Sequence, residues 1–182
     1  MIVIIIPAKG GSSRLPNKNM AILNDRPMLD YTIDQAQGCM RAGAVYVTTD
    51  SDSIEAHASG RGVGVIRRPE SLGGDTPMVD VLRHALGVID NPKISVVVSV
   101  QPDHPDRHMT VDQAIKTFER EGADLLHSTE ADGTKNGAHH IMTVGYLENE
   151  NAEKTIYVID DCTNVHYQED LDRASERLKN RL

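Results

Sequence analysis

Short runs of aliphatic and β-branched residues alternate along this chain with segments whose apolar positions recur every three to four residues. Residues 2–6 (IVIII), 44–48 (AVYVT), 63–66 (VGVI) and 94–100 (ISVVVSV) read as strands. Their nearly continuous apolar character suits a sheet covered on both faces. Residues 28–37, 52–59, 76–88 and 109–120 carry helical spacing. The alternation βαβαβαβα predicts an α/β fold built on a doubly wound, mostly parallel sheet. The later part is less regular: 123–129, 139–146 and 154–158 read as strands, and 168–180 as a final helix with a polar face. No repeat, low-complexity stretch or linker interrupts the pattern, so one domain is expected over 1–182.

Composition narrows the function. Of 182 residues, 39% are hydrophobic and 25% charged, as in an ordinary globular protein. With one Phe, five Tyr and no Trp, the core must be aliphatic, and a base-stacking surface for single-stranded nucleic acid is not expected. A formal net charge of −8 argues against nucleic-acid or anionic-membrane partners, which need a basic face. The N-terminal apolar run is too short for a membrane span or a signal peptide. Cys39 and Cys162 lie far apart in sequence and form no metal-type cluster, which suits a reduced, cytoplasmic protein with structural thiols.

Ligands of open α/β sheets bind outside the carboxyl ends of the strands. The first such loop, within IPAKGGSSRLPNKN (6–19), carries Lys9, Arg14 and Lys18 with no acid before Asp25. Gly10 and Gly11 permit a tight turn and close approach of backbone N–H groups, and Ser12 and Ser13 add hydroxyls. Arginine forks onto two oxygens and lysine acts as a point charge, so the loop suits a polyphosphate. It is neither a P-loop nor a G-x-G-x-x-G fingerprint. The alternative is a solvated basic loop whose glycines serve only the turn.

Three further loops carry chemistry. Asp50-Ser51-Asp52 is formally a D-x-D metal motif, but Asp52 followed by Glu55 better fits an acidic variant of the capping box. Asp75-Thr76-Pro77 opens the third helix, with Asp75 or Thr76 as N-cap and Pro77 in the first turn. Gln101-Pro102-Asp103-His104-Pro105 places a carboxylate at the end of a central strand, where it can hold a hard cation together with phosphate oxygens, or simply cap a turn. His104, Asp106 and His108 lack zinc-site spacing.

The loop IPAKGGSSRLPNKN resembles the N-terminal signature of the cytidylyltransferases that attach CMP to acidic sugars, the acylneuraminate and 3-deoxy-manno-octulosonate enzymes. Ile6, Pro7, Ala8, Ser12, Pro16, Lys18 and Asn19 match I-P-A-R-x-x-S-x-x-x-P-x-K-N, and Lys9 replaces the usual Arg. VYVTTDSDSIEAHASGRGVGVIRRPESLGGDT, VVVSVQPDHPDR, NGAHHIMTV and QEDLDRA resemble further family segments in the same order. The resemblance implies a Rossmann-like fold of the nucleotide-diphospho-sugar transferase type. It implies CMP transfer from CTP to an acidic sugar or related small acidic acceptor, with pyrophosphate released and Mg²⁺ as cofactor. Lys9, Arg14 and Lys18, with the loop backbone at Ala8, Gly10, Gly11 and Ser12, would take the triphosphate. Asn19, Arg68 and Thr76 would frame cytidine, Gln101 and Asn136 would face the acceptor, and Asp103 would hold the metal.

Two departures from the family pattern matter. Alignment on Glu169-Asp170-Leu171 puts Asn164 and His166 where the family carries acidic metal ligands. Asparagine still offers an oxygen and histidine suits Mg²⁺ less well, so both stay candidate metal helpers beside Asp103, and Asp160 or Asp161 could substitute if the loop is rearranged. Only seven residues, 130–136, stand where relatives carry an insertion that forms much of their dimer contact and covers the acceptor. A homodimer is therefore left open, and the acceptor lid is expected to be absent. Two other readings stand beside the transferase: a nucleotide-binding homologue impaired in catalysis, and a D-x-D glycosyltransferase using Asp50 and Asp52.

Overall fold

In the computed structural model, which describes residues 1–74 and 76–181, the first apolar run becomes β1 (Ile2–Pro7), a strand near the middle of a seven-stranded sheet. It pairs in parallel with β4 (Ala44–Thr49) on one side and β6 (Val96–Ser99) on the other, and β5 (Gly64–Arg67) extends the sheet beyond β4. Past β6 lies the antiparallel strand β8 (Lys135–Thr143), followed by β7 (Leu125–Thr129) and the edge strand β9 (Thr155–Ile159). A small hairpin of β2 (Ile22–Leu23) and β3 (Arg26–Pro27) stands apart. Residues 139–146, expected as one strand, are split. The strand starts earlier and ends at Thr143, whose hydroxyl accepts the amide of Tyr146 at 3.1 Å and starts a helix.

Successive residues of a strand face opposite sides, so a continuous apolar run needs cover on both. Ile4, Ile6, Leu126 and Ile141 pack on one face against α1 (Met28–Gln37), α2 (Asp52–Gly60) and α4 (Val111–Glu121). Val3, Ile5, Val97, Leu125 and Met142 pack on the other against α3 (Met78–Ile89) and α5 (Val144–Asn149). The last helix, α6 (Gln168–Lys179), joins a third cluster with Leu23 and Met28. The sheet is thus mostly parallel with helices on both faces.

Helix starts differ from expectation where local hydrogen bonding found better partners. Asp52 is the first residue of α2 rather than its cap, and with Glu55 it binds Arg67 at 2.7 and 3.0 Å. Helix α3 begins only at Met78, after Pro77, and the Thr76 hydroxyl donates instead to the Gly73 carbonyl at 2.8 Å. Asp75 lies outside the described residues. A reciprocal capping box does occur at α4, between Thr110 and Gln113. Both cysteines are buried free thiols, and burial pushes Cys162 up to about 12. Among the described residues no helix is long and apolar enough to cross a membrane.

Histidines on β7 and β8 give the sheet an acid sensitivity. His127 and His140 stack with ring centroids 4.4 Å apart. Burial, with His127 and Lys135 nearby, pushes His140 down from 6.5 to about 3. His127 and His139 are also held low, first by burial. A group whose folded pKa is depressed stays neutral in the native state while the unfolded chain takes up the proton. Stability therefore falls as pH drops below about 6.5, with the His140 contribution levelling off only near about 3. Urea midpoints at pH 7 and pH 4.5 are expected to differ less in His140→Phe than in the parent chain. Equal differences would refute this origin.

Candidate nucleotide-binding site

At the carboxyl ends of β1 and β6 lies a pocket of about 410 Å³. One wall is the loop after β1, another is Arg68 and the segment leading into α3, and Gln101-Pro102-Asp103 closes the side beyond β6. Its described walls carry four cationic side chains, Lys9, Arg14, Lys18 and Arg68, and one carboxylate, Asp103. In a chain with net charge −8, this concentration of positive charge is local and focused on a concave site.

Arg68 is the clearest sign of a missing partner. It follows β5, its amide donates to the Thr49 carbonyl, and its side chain is only 5% exposed. Nε and Nη2 have no hydrogen-bond partner, and Asp50 stands 3.8 Å away. Burial lowers its pKa, with Asp50 opposing. Buried guanidinium donors without acceptors are costly, and among the described cationic walls of the pocket Arg68 is the one that shows this deficit.

The loop after β1 is held in shape from both ends. Asn19, buried, donates its amide to the Lys9 carbonyl at 2.8 Å. The Gly10 amide donates to Asp50 Oδ1 at 2.7 Å, and a Cβ at this position would meet Ser51 Cβ at 2.7 Å. Gly10 thus serves a close packing contact rather than offering its N–H to a ligand. Ala8 is fully buried in the core, with its amide on the Thr48 carbonyl. Neither Ala8, Gly10 nor Gly11 is among the described walls, whereas Ser12, Ser13, Asn19 and Thr76 are. Lys9 donates to the Gly74 carbonyl at 3.3 Å across the mouth, and Arg14 is exposed.

Lys18 crosses to Asp103 Oδ2 at 2.7 Å and also donates to the Val165 carbonyl at 3.0 Å. Burial opposes ionisation of Asp103, but His104 and Lys18 outweigh it and hold the carboxyl well below its usual range. The His104 ring nitrogen lies 3.1 Å from Asp103 Oδ1 without hydrogen-bond alignment. His166 completes this side of the pocket, kept low by burial and then by Lys18 and Arg14.

One residue essential to this arrangement carries no sequence signal of its own. Arg107 is buried and donates to the carbonyls of His104 at 2.6 Å and Ala138 at 2.8 Å, to Thr32 Oγ1 at 2.9 Å, and to the Gln101 carbonyl. Burial brings its pKa down to about 10. The loop bearing Asp103 is thus clamped from below. Gln101 is placed from the other side. A register irregularity between His127 and Thr129 lets β8 bulge at 136–138, and a Cβ on Gly137 would fall 2.3 Å from the Gln101 side chain.

Other expected site residues lie elsewhere. The Asn136 side chain joins Ser128, Ala138 and the Asp160 carbonyl, and is not a described wall of the pocket. Asn164 is likewise not a wall, although its Oδ1 is buried without a partner. Asp160 accepts the amides of His108 and Met109 and binds His139, so it is structural. Asp50 and Asp52 are committed to Gly10 and Arg67 and do not converge on the pocket, which removes the D-x-D metal motif.

Among the described residues no three His, Cys, Asp or Glu side chains converge as a metal cage. Among the described walls of the pocket, Asp103 alone offers a carboxylate. That suits a hard cation held by one carboxylate, waters and the phosphate oxygens of a ligand, and does not suit an all-protein site.

Comparison with known proteins agrees with this geometry. The family model described as cytidylyltransferase matches residues 3–180. N-acylneuraminate cytidylyltransferase of Escherichia coli O18:K1:H7 (strain RS218) is 36% identical over 120 residues, covering 65% of this chain and 28% of that protein. The 8-amino-3,8-dideoxy-manno-octulosonate cytidylyltransferase of Shewanella sp. (strain W3-18-1) is 30% identical over 129 residues, covering 70% of this chain and 51% of that protein. The chain therefore spans about half, or less, of the length of these curated relatives. Among solved structures, a CMP:2-keto-3-deoxy-manno-octonic acid synthetase complexed with CTP matches with TM-score 0.79 and 15% identity, covering 100% of this chain and 99% of that one. Rv0371c of Mycobacterium tuberculosis H37Rv, in complex with manganese, matches with TM-score 0.70 and 15% identity, covering 96% and 98%. At such identity the structural matches speak for the fold.

Replacing Arg107 by Met leaves the carbonyls of Gln101, His104 and Ala138 without this donor. A loss of about 2–4 kcal/mol is expected in urea unfolding at unchanged slope. Arg107→Lys is expected to recover less than half, because a point charge cannot reproduce the fork.

Proposed function

The chain belongs to the cytidylyltransferase family, and from that premise we propose that it transfers CMP from CTP to a small acidic acceptor, releasing pyrophosphate. The observation that carries this reading is a cationic pocket at the carboxyl ends of the parallel strands, with the unpartnered donors of buried Arg68 in its wall. The acceptor is an acidic sugar or a smaller phosphonate or phosphate. Its chemistry also suits a chain whose β7 and β8 are joined by a short turn at residues 130–134 rather than by an elaborated lid.

In this reaction an acceptor oxygen attacks the α-phosphorus in line. A bond forms between that oxygen and phosphorus, the bond to the bridging α–β oxygen breaks, and the acceptor's proton passes to solvent or a nearby base. Such chemistry asks the protein for positioning and for neutralisation of phosphate charge. Lys9, Arg14 and Lys18 supply that neutralisation. Arg68, Asn19 and Thr76 frame the nucleoside, with Asn19 also fixing the loop that carries the lysines. Gln101, wedged over Gly137, faces the acceptor. A divalent cation, Mg²⁺ in this reading, adds charge compensation across the phosphates when bound, and Asp103 is the residue that would hold it, with His166 beside it.

A second reading has one observation in its favour. Asp103 is the one carboxylate among the described walls of the pocket, as a catalytically impaired nucleotide-binding homologue would show. Pyrophosphate release from CTP and Mg²⁺, measured across a panel of acidic sugars, phosphonates and phosphates, separates the two. Turnover with at least one acceptor, lowered about 10²-fold or more in kcat by Asp103→Asn, is the expected outcome. Tight CTP binding with no turnover for any acceptor would establish the second reading instead.

A further inference from the structure

Lys18 and Asp103 come from opposite walls of the pocket, 85 positions apart in sequence, and meet at 2.7 Å with side chains only 13% and 14% exposed. The contact is part of a three-way tie. The Lys18 ammonium also holds the Val165 carbonyl, and the Val165 amide donates to the Asp103 carbonyl at 2.9 Å. The loop after β1, the loop after β6 and the segment before α6 are thus drawn together around one ammonium ion.

This tie has consequences for metal binding. Asp103 Oδ2 is occupied by a cation of the protein's own, while Oδ1 is buried without an aligned hydrogen bond, 3.1 Å from the His104 ring nitrogen. A divalent ion placed on this carboxylate would stand within a few ångströms of the Lys18 charge. Lys9, Arg14 and Arg68 line the same space and add to the repulsion. The single carboxylate cannot compensate for that alone. A polyphosphate changes the balance. It offers the flexible lysine a charge-assisted partner, brings several negative charges, and supplies the oxygens a hard cation lacks here.

We propose that Lys18 is a counter-cation latch that closes Asp103 to divalent ions until a polyanion draws the ammonium away, so that metal and nucleotide enter as a unit. Only the identity of the polyanion, a nucleoside triphosphate, rests on the function proposed above. The latch itself rests on the ion pair and on Asp103 being the one carboxylate among the described walls of the pocket.

Binding of Mn²⁺, followed by the electron paramagnetic resonance signal of the free ion, tests it on the full chain. Without nucleotide, the parent protein is expected to bind Mn²⁺ no better than Asp103→Asn. Lys18→Met is expected to bind it at least tenfold more tightly, and the double variant K18M/D103N to lose that gain. Lys18→Gln serves in the same comparison if circular dichroism shows that Lys18→Met does not fold. Equal and weak affinity in the parent and both Lys18 variants overturns the latch, as does tight nucleotide-free binding by the parent. CTP binding by calorimetry forms a separate arm. Its absence overturns the nucleotide reading and leaves the latch decided by the nucleotide-free comparison.

Discussion

A strand that is apolar on both faces can persist in water only between two layers of cover, and β1 imposes this demand on the whole molecule. Ile4 and Ile6 require one helical layer, Val3 and Ile5 the other. With both faces of the sheet's centre occupied, the exits left near the chain's most buried strand are at its ends. The carboxyl end opens into the loop that holds Lys9, Arg14 and Lys18. The position of the pocket is thus a consequence of where apolar surface had to be hidden.

Around that pocket the protein divides its buried charges into two kinds. Arg107, Asp106 and Asp160 are satisfied within the fold: Arg107 by carbonyls and a hydroxyl, Asp106 by Thr163 and Arg177, Asp160 by two amides and His139. Arg68 is not: its Nε and Nη2 are buried without hydrogen-bond partners, in a residue that lines the pocket. The first kind fixes the loops after β6 and before α6. The second leaves a deficit in the wall of the pocket. The contrast separates framework from site more sharply than charge alone.

Much of the fold was legible because periodicity reports burial directly. The strands at 2–6 and 44–48 and the helix at 28–37 lie within a residue of their observed limits. The failures have physical causes. Apolar residues on either side of Thr143 read as one strand, although a hydroxyl cap turns the chain into α5. Asp52 and Glu55 had the spacing of a cap, but Arg67 on the neighbouring strand offered a stronger partner. Of the residues assigned through resemblance, Lys9, Arg14, Lys18, Arg68, Gln101 and Asp103 share the pocket, while Ala8, Asn136 and Asn164 do not line it. Arg107 closes the segment VVVSVQPDHPDR but received no role, since its meaning depends on carbonyls from Gln101, His104 and Ala138 converging in space.

The tethering of the loop after β1 has a thermodynamic side. A glycine-rich segment left free would lose conformational entropy each time it closed on a ligand, and affinity would fall by that amount. Here Asn19 grips the Lys9 carbonyl and Asp50 grips the Gly10 amide, both through the chain's own side chains. The ordering is completed once, during folding, and is shared with the stability of the whole chain. Binding then inherits a shape that already exists, and what remains to be ordered is confined to the flexible tips of its lysine and arginine side chains.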